Sequence, residues 1–230
     1  MKIVSSKMES LLKFVAKREL EHYRGEMNVW TPSKKSRSEN PDFRKELITF
    51  YQREDPNNHN NLICMVTNKS LPKEQVIASH IWKAASNGKN LDAFGLPARN
   101  VNTERNGFLA VKPIEDAFDD LRVCFVWNAM SLRLIFHVLD PTLSNVKVHP
   151  SLPDTFRAFH GGPLFCPPNA QPYKRLLGFH ARLSFDRALQ CGWISQVDYD
   201  QFVDYVALST GEGNPIEAVE DALEQLLEED

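Results

Sequence analysis

The sequence predicts an α+β protein, and three observations carry that expectation. Two short apolar runs, Val76-Ile77-Ala78 and Phe108-Leu109-Ala110-Val111, have strand character and stand apart across a long polar insertion. A second pair, Val123-Cys124-Phe125-Val126-Trp127 and Leu134-Ile135-Phe136-His137-Val138-Leu139, is separated by a short turn. Both ends of the chain instead place apolar residues at intervals of three and four, the helical period. Together these give a central strand–loop–strand–helix unit, an adjoining β-hairpin, and N- and C-terminal helices around them.

Taken in order, residues 1–41 read as a helix and a linker. Met8, Leu11, Leu12, Val15 and Leu20 form the apolar face of a helix over residues 5–24. Residues 28–41 turn to Pro, Ser, Lys and Asn, a linker composition in which Lys34, Lys35 and Arg37 are spare cations. Asp42 then caps a helix over residues 43–51, which Asp55-Pro56-Asn57-Asn58 ends. The core follows over residues 42–140. Residues 141–230 form a C-terminal segment, irregular through the prolines and glycines before residue 172 and helical beyond. Its helices are expected over residues 172–190 and 197–208. An acidic helix over residues 215–229 closes it, with an apolar stripe of Ile216, Val219, Leu223, Leu226 and Leu227.

In the central unit, Val76-Ile77-Ala78 leads a buried strand up to His80, which holds the imidazole at a fixed angle. Asn106-Gly107 introduces the second strand. Lys112-Pro113 opens a short helix over residues 114–119, because proline suits a first helical turn. His80, Asn106 and carboxylates from Glu115, Asp116 or Asp119 could then converge. An imidazole is a general base near neutral pH, and carboxylate and amide oxygens suit a hard cation such as magnesium. Hydrolysis of a phosphodiester needs both.

Ala78-Ser79-His80-Ile81, a variable loop, Asn106-Gly107-Phe108-Leu109, then Glu115 and the closing Phe118-Asp119 carry a resemblance. The segment resembles the HNH endonucleases, in the subgroup that reads Ala-Ser-His-Ile, Asn-Gly and Phe-Asp. Outward from it, Cys64-Met65-Val66-Thr67-Asn68 looks like the strand and turn that precede the motif in that subgroup. Gly161-Gly162-Pro163-Leu164 and His180 look like its tail. The resemblance spans residues 43–185 and implies a ββα-metal finger that cleaves DNA, with RNA as the alternative substrate. His80 matches the general base, Asn106 the asparagine, and Glu115 the third motif letter, giving a catalytic set of His80, Asn106 and Glu115. One divalent ion, Mg2+ or Mn2+, is implied, with Ser79, Asn106, Glu115 and Asp119 as its ligand candidates. Glutamate at 115 stands where His or Asp is usual, and Ser79 where other branches place an acid or histidine. These departures favour the harder ions. They also keep a second reading open, an inactive finger that binds nucleic acid or a protein.

Lys83, Lys89, Arg99 and Arg105 in the insertion are the candidate phosphate contacts. Trp82 reads as core rather than as a base-stacking ring. A net charge of −3 argues against coating nucleic acid by bulk electrostatics. Basic residues predominate over residues 2–53, whereas residues 212–230 hold none. The acidic helix is expected to meet a partner protein, a second copy of the chain, or the finger itself as a phosphate mimic. Cys64, Cys124, Cys166 and Cys191 are too scattered for a zinc or disulfide framework, with Cys64 and Cys124 read as buried thiols. His149, His160, Cys166 and His180 match no standard zinc spacing. No transmembrane run or signal peptide is visible, so an intracellular setting without a membrane partner is expected. Phosphate-cradling glycine loops and nucleophile elbows are absent too, which weakens kinase, ATPase and esterase readings.

Overall fold

Residues 41–209 are described by the computed structural model. The expected helix over residues 5–24, the linker cations and the acidic helix over residues 215–229 lie outside the described residues. The described residues form a mixed α+β arrangement of three two-stranded antiparallel sheets and five α-helices.

Helix α1 (Pro41–Tyr51) starts at the proline, so Asp42 sits in its first turn rather than capping it from outside. Proline lacks the N–H that a first turn leaves unbonded, and a carboxylate there faces the positive end of the helix dipole. Phe43, Leu47 and Tyr51, spaced by four, are all buried. The Tyr51 hydroxyl lies 3.0 Å from the Gly107 carbonyl and 3.1 Å from that of Glu104, tying the helix to the chain across from it.

Strands β1 (Asn61–Ile63) and β2 (Ser70–Pro72) form a small hairpin. The strand expected at Cys64-Met65-Val66 is therefore not formed there: these residues lie in the loop between β1 and β2, where residues 65–67 turn. The Met65 backbone is committed elsewhere: its N–H donates to the Leu109 carbonyl at 2.8 Å and its carbonyl accepts from Phe165 at 2.8 Å. Asn68, at φ 52°, supplies the left-handed residue that brings the chain back.

Strands β3 (Val76–His80) and β4 (Gly107–Val111) pair in register from Val76↔Val111 to His80↔Gly107, and helix α2 (Lys112–Asp119) follows β4 without a break. Phe108 on β4 meets Phe118 on α2 and Phe125 edge-on, at 4.9 and 5.2 Å between ring centroids. Next come β5 (Val123–Asn128) and β6 (Arg133–Val138), the expected second hairpin, with β6 shifted one residue earlier. The glycine-rich tail runs along its edge. Phe136 donates to the Gly162 carbonyl, Gly161 to that of Phe136, and Leu164 to that of Leu134, at 2.7–2.8 Å.

The insertion between β3 and β4 is a chain of single 3-10 turns at Ala84–Ser86, Asp92–Phe94, Ala98–Asn102 and Glu104–Asn106. It buries Leu91, Phe94, Leu96 and Val101, and so has a small core of its own. Trp82 joins that core at 4% exposure, edge-on to Phe94, with its indole N–H donating to the Lys89 carbonyl. Residues 140–172 are irregular apart from short helical turns, including α3 (Phe156–Phe159). Helices α4 (Lys174–Gln190) and α5 (Gln196–Ser209) cover the β5–β6 hairpin through Ala181, Phe185, Ala188 and Phe202 against Cys124, Val126 and Leu139. Cys64 and Cys124 are buried thiols, as expected. No described helix is long and apolar enough to cross a membrane.

Candidate active site

Alternation along β3 sends Ser79 and His80 to opposite faces of the β3–β4 hairpin. Ser79 lies directly across from Phe108, and the Phe108 ring packs on Phe118, so Ser79 belongs to the α2 face. His80 lies across from Gly107 on the α1 face. Its imidazole stacks on the Phe43 ring with centroids 3.7 Å apart and planes 12° from parallel. A Cβ at Gly107 would stand 2.5 Å from Phe43 Cζ, so the missing side chain is what admits the ring. Here glycine serves close approach, since its φ of −159° is ordinary extended backbone.

Burial, reinforced by the neighbouring positive charge of Lys83, lowers the His80 pKa to about 4, while a hydrogen bond from the ring to the Asn102 side chain opposes the shift. The imidazole is therefore neutral at pH 7. Nε2 is buried without a hydrogen-bond partner. A buried ring nitrogen left unsatisfied costs folding energy and marks a place where a water or ligand atom belongs.

Asn106 is fully buried and all its bonds go to the insertion. Its Oδ1 accepts from the Trp82 N–H at 2.8 Å, and Nδ2 donates to the carbonyls of Trp82 at 2.9 Å and Val101 at 2.7 Å. The amide thus pins both ends of the loop that begins after His80. The resemblance made Asn106 a metal-ligand candidate; with Oδ1 and Nδ2 both engaged within the protein, this geometry serves loop fixation.

On α2, Glu115 and Asp119 are one turn apart and therefore neighbours on the helix surface. Each meets a lysine. Lys112 Nζ is 2.5 Å from Glu115 Oε2 and also contacts Asp116. Lys83 Nζ forms an ion pair with Asp119 Oδ1. Ser79 Oγ, on the same face and 2% exposed as a residue, has no partner at all. Three of the five buried polar side-chain atoms without a hydrogen bond among the described residues belong to Ser79, His80 and Asp119. Unsatisfied groups are thus concentrated on the residues singled out by their pattern.

The end of α2 is held by a residue whose role was not foreseen. His180 on α4 is buried, stacks on Phe118 at 3.6 Å and donates from Nε2 to the Phe118 carbonyl at 2.9 Å. Burial lowers its pKa to about 3, so the ring stays neutral and acts as a fixed donor beside Asp119. Asn102 and Phe43 were also missed. Asn102 lies in an aperiodic loop and Phe43 looks like any core residue, so neither carried a signal in the sequence.

A donor set of Ser79 hydroxyl with Glu115 and Asp119 carboxylates suits a hard divalent cation in its chemistry. The buried, unpartnered Ser79 hydroxyl is the observation in favour of that fit; His80 lies on the other face of the hairpin, so these oxygens do not converge with its imidazole as the sequence suggested. It is a sparse shell: among the described residues no group of three or more His, Cys, Asp or Glu side chains is arranged to hold a metal. The candidate zinc residues are likewise engaged separately, with His149 Nδ1 accepting from Ser151 and His160 Nδ1 from Val138.

The four candidate phosphate contacts separate as well. Lys83 faces inward to Asp119. Arg105 is pinned over the Tyr173 ring, 4.8 Å from its centroid, and donates to the Gln171 carbonyl. Lys89 and Arg99 are exposed. On α4, Lys174 sits 3.5 Å above the Trp127 ring and Arg175 donates to the Phe94 carbonyl. Lys174 and Arg175 are thus engaged within the fold. Compared with protein-family profiles, characterised proteins and solved structures, the chain has no match in any of the three.

Proposed function

We propose that this chain is an endonuclease of the ββα-metal finger kind, which hydrolyses phosphodiester bonds in DNA with His80 as general base. The observation that carries the reading is the His80 imidazole, stacked on Phe43 at the end of β3, with a buried Nε2 that no protein group satisfies. A general base must offer a free nitrogen at a fixed place, and the ring is held by its stack on Phe43. In the reaction, Nε2 takes a proton from a water. The water oxygen bonds to phosphorus as the opposite P–O bond breaks, and the departing oxygen carries the electron pair of that bond. Asn106 keeps the loop after His80 closed so that the ring does not swing away. Ser79, Glu115 and Asp119, on the α2 face, are the residues that would hold one Mg2+ or Mn2+, and Lys83, whose charge acts on His80 and whose ammonium meets Asp119, links that face to the imidazole; a bound ion would supply charge neutralisation at the phosphate and the leaving oxygen.

The pairing of both carboxylates with lysines favours a second reading, a finger kept for its shape that binds nucleic acid or a protein. Nicking of supercoiled plasmid separates the two. Wild type, His80→Ala and His80→Asn are compared with magnesium, with manganese and with chelator, after circular dichroism shows equal folding. The nuclease reading expects metal-dependent nicking that falls by at least about a hundredfold in both variants, the usual scale of a lost general base. Absence of nicking with either metal, or equal nicking by the variants, sinks it.

A further inference from the structure

We propose that Lys83 is a built-in cation of this site: its ammonium holds the place of the divalent ion at Asp119, and the metal enters only by displacing it. The inference rests on the finger reading above and adds an occupant to it. Lys83 lies three residues beyond His80, where the insertion leaves β3, and its ammonium reaches across to Asp119 on the last turn of α2. Both partners are largely withdrawn from water, with side chains 26% and 19% exposed. An ion pair there is less screened than one on the surface.

The contact has the character of charge compensation. Lys83 pairs with one oxygen of Asp119. The Ser79 hydroxyl on the same face of the hairpin is 2% exposed and unpartnered, a second oxygen for which an ammonium on Asp119 does nothing. A small doubly charged ion takes several oxygen ligands, whereas the ammonium neutralises one carboxylate. Lys112 compensates Glu115 in the same way, but it does so from within α2 and at a more exposed position. Lys83 is the cation delivered from the loop that Asn106 pins, so its withdrawal requires a change in that loop or in its own rotamer.

Manganese binding is the direct test, followed by electron paramagnetic resonance of free Mn2+ and by calorimetry, without nucleic acid. Wild type, Lys83→Met, Lys83→Arg and Lys83→Met with Asp119→Asn are compared. Competition predicts that Lys83→Met binds Mn2+ at least about tenfold more tightly than wild type, because a partly buried ion pair no longer has to break. Lys83→Arg keeps the charge and stays near wild type, and the added Asp119→Asn removes the gain. Equal or weaker Mn2+ binding by Lys83→Met, in a protein that melts as wild type does, overturns the proposal, as does a gain that survives Asp119→Asn. Plasmid nicking that depends on His80 alongside a negative manganese result would leave the nuclease standing and reject only the role of Lys83.

Discussion

Asn106 shows how much one side chain can carry and how little of it is visible in a motif. Its position before a glycine is plain in the sequence, but its three hydrogen bonds to Trp82 and Val101 exist only once the insertion has folded back. Removing the amide strands one buried N–H and two carbonyls at once. Asn106→Ala is expected to cost about 2–4 kcal/mol, the sum of a few buried polar groups left unmatched. Urea unfolding followed by tryptophan fluorescence reads it directly, with Trp82 as a local reporter; a loss below about 1 kcal/mol would mean water replaces the amide without penalty. His80 was legible as the residue at the end of a strand. Its stack on Phe43 and its bond to Asn102 were not, because both partners are distant in sequence and ordinary in type.

Among the elements, the β3–β4 hairpin with α2 behind it was the most legible, since two apolar runs and a proline at a first turn are local signals. The α1 contact was not. The helix was readable from its own periodicity, but its docking depends on Gly107, where a Cβ would meet Phe43 Cζ at 2.5 Å and the Ser79 carbonyl oxygen at 2.7 Å. The glycine that looks like a turn signal is instead the floor under an aromatic ring. Gly107→Ala should therefore destabilise by about 1–3 kcal/mol, as overpacking does, and displace the ring that stacks on His80. The His80 ring proton shifts in an NMR spectrum are expected to move with the lost stack. Unchanged shifts and unchanged stability would show that α1 yields at no cost. The strand expected at Cys64-Met65-Val66 illustrates the reverse error: its apolar pattern is real, but Met65 gives its backbone to Leu109 and Phe165, and the segment becomes the loop between β1 and β2.

Across the described molecule, three histidines are held neutral by burial. His180 has its pKa lowered to about 3, and His80 and His137 to about 4, with Lys83 adding to the effect at the first two and His160 at the third. The unfolded chain binds these protons near pH 6.5, a typical free imidazole value, so between about 6.5 and 4 it takes up protons that the folded state refuses. Stability is then full above pH 6.5 and declines as pH falls through the folded values. Urea midpoints should drop steadily from pH 7 to pH 4. His137→Phe, which removes one titrating ring among apolar neighbours such as Phe185, should make that decline shallower. A flat wild-type profile, or one as steep in the variant, would show that these rings reach water. Local pattern by itself determined the β3–β4–α2 unit, the β5–β6 hairpin and the helices over residues 172–208, the burial of Trp82, Cys64 and Cys124, and which residues were worth suspecting, because periodicity, turn chemistry and residue type act over a few neighbours. Only the tertiary structure decided which lysine met which carboxylate, that Asn106 serves the loop, that Arg105 rests on Tyr173 and that His180 holds the end of α2. Those outcomes depend on approach distance and burial between residues far apart in the chain, and no spacing in the sequence encodes them.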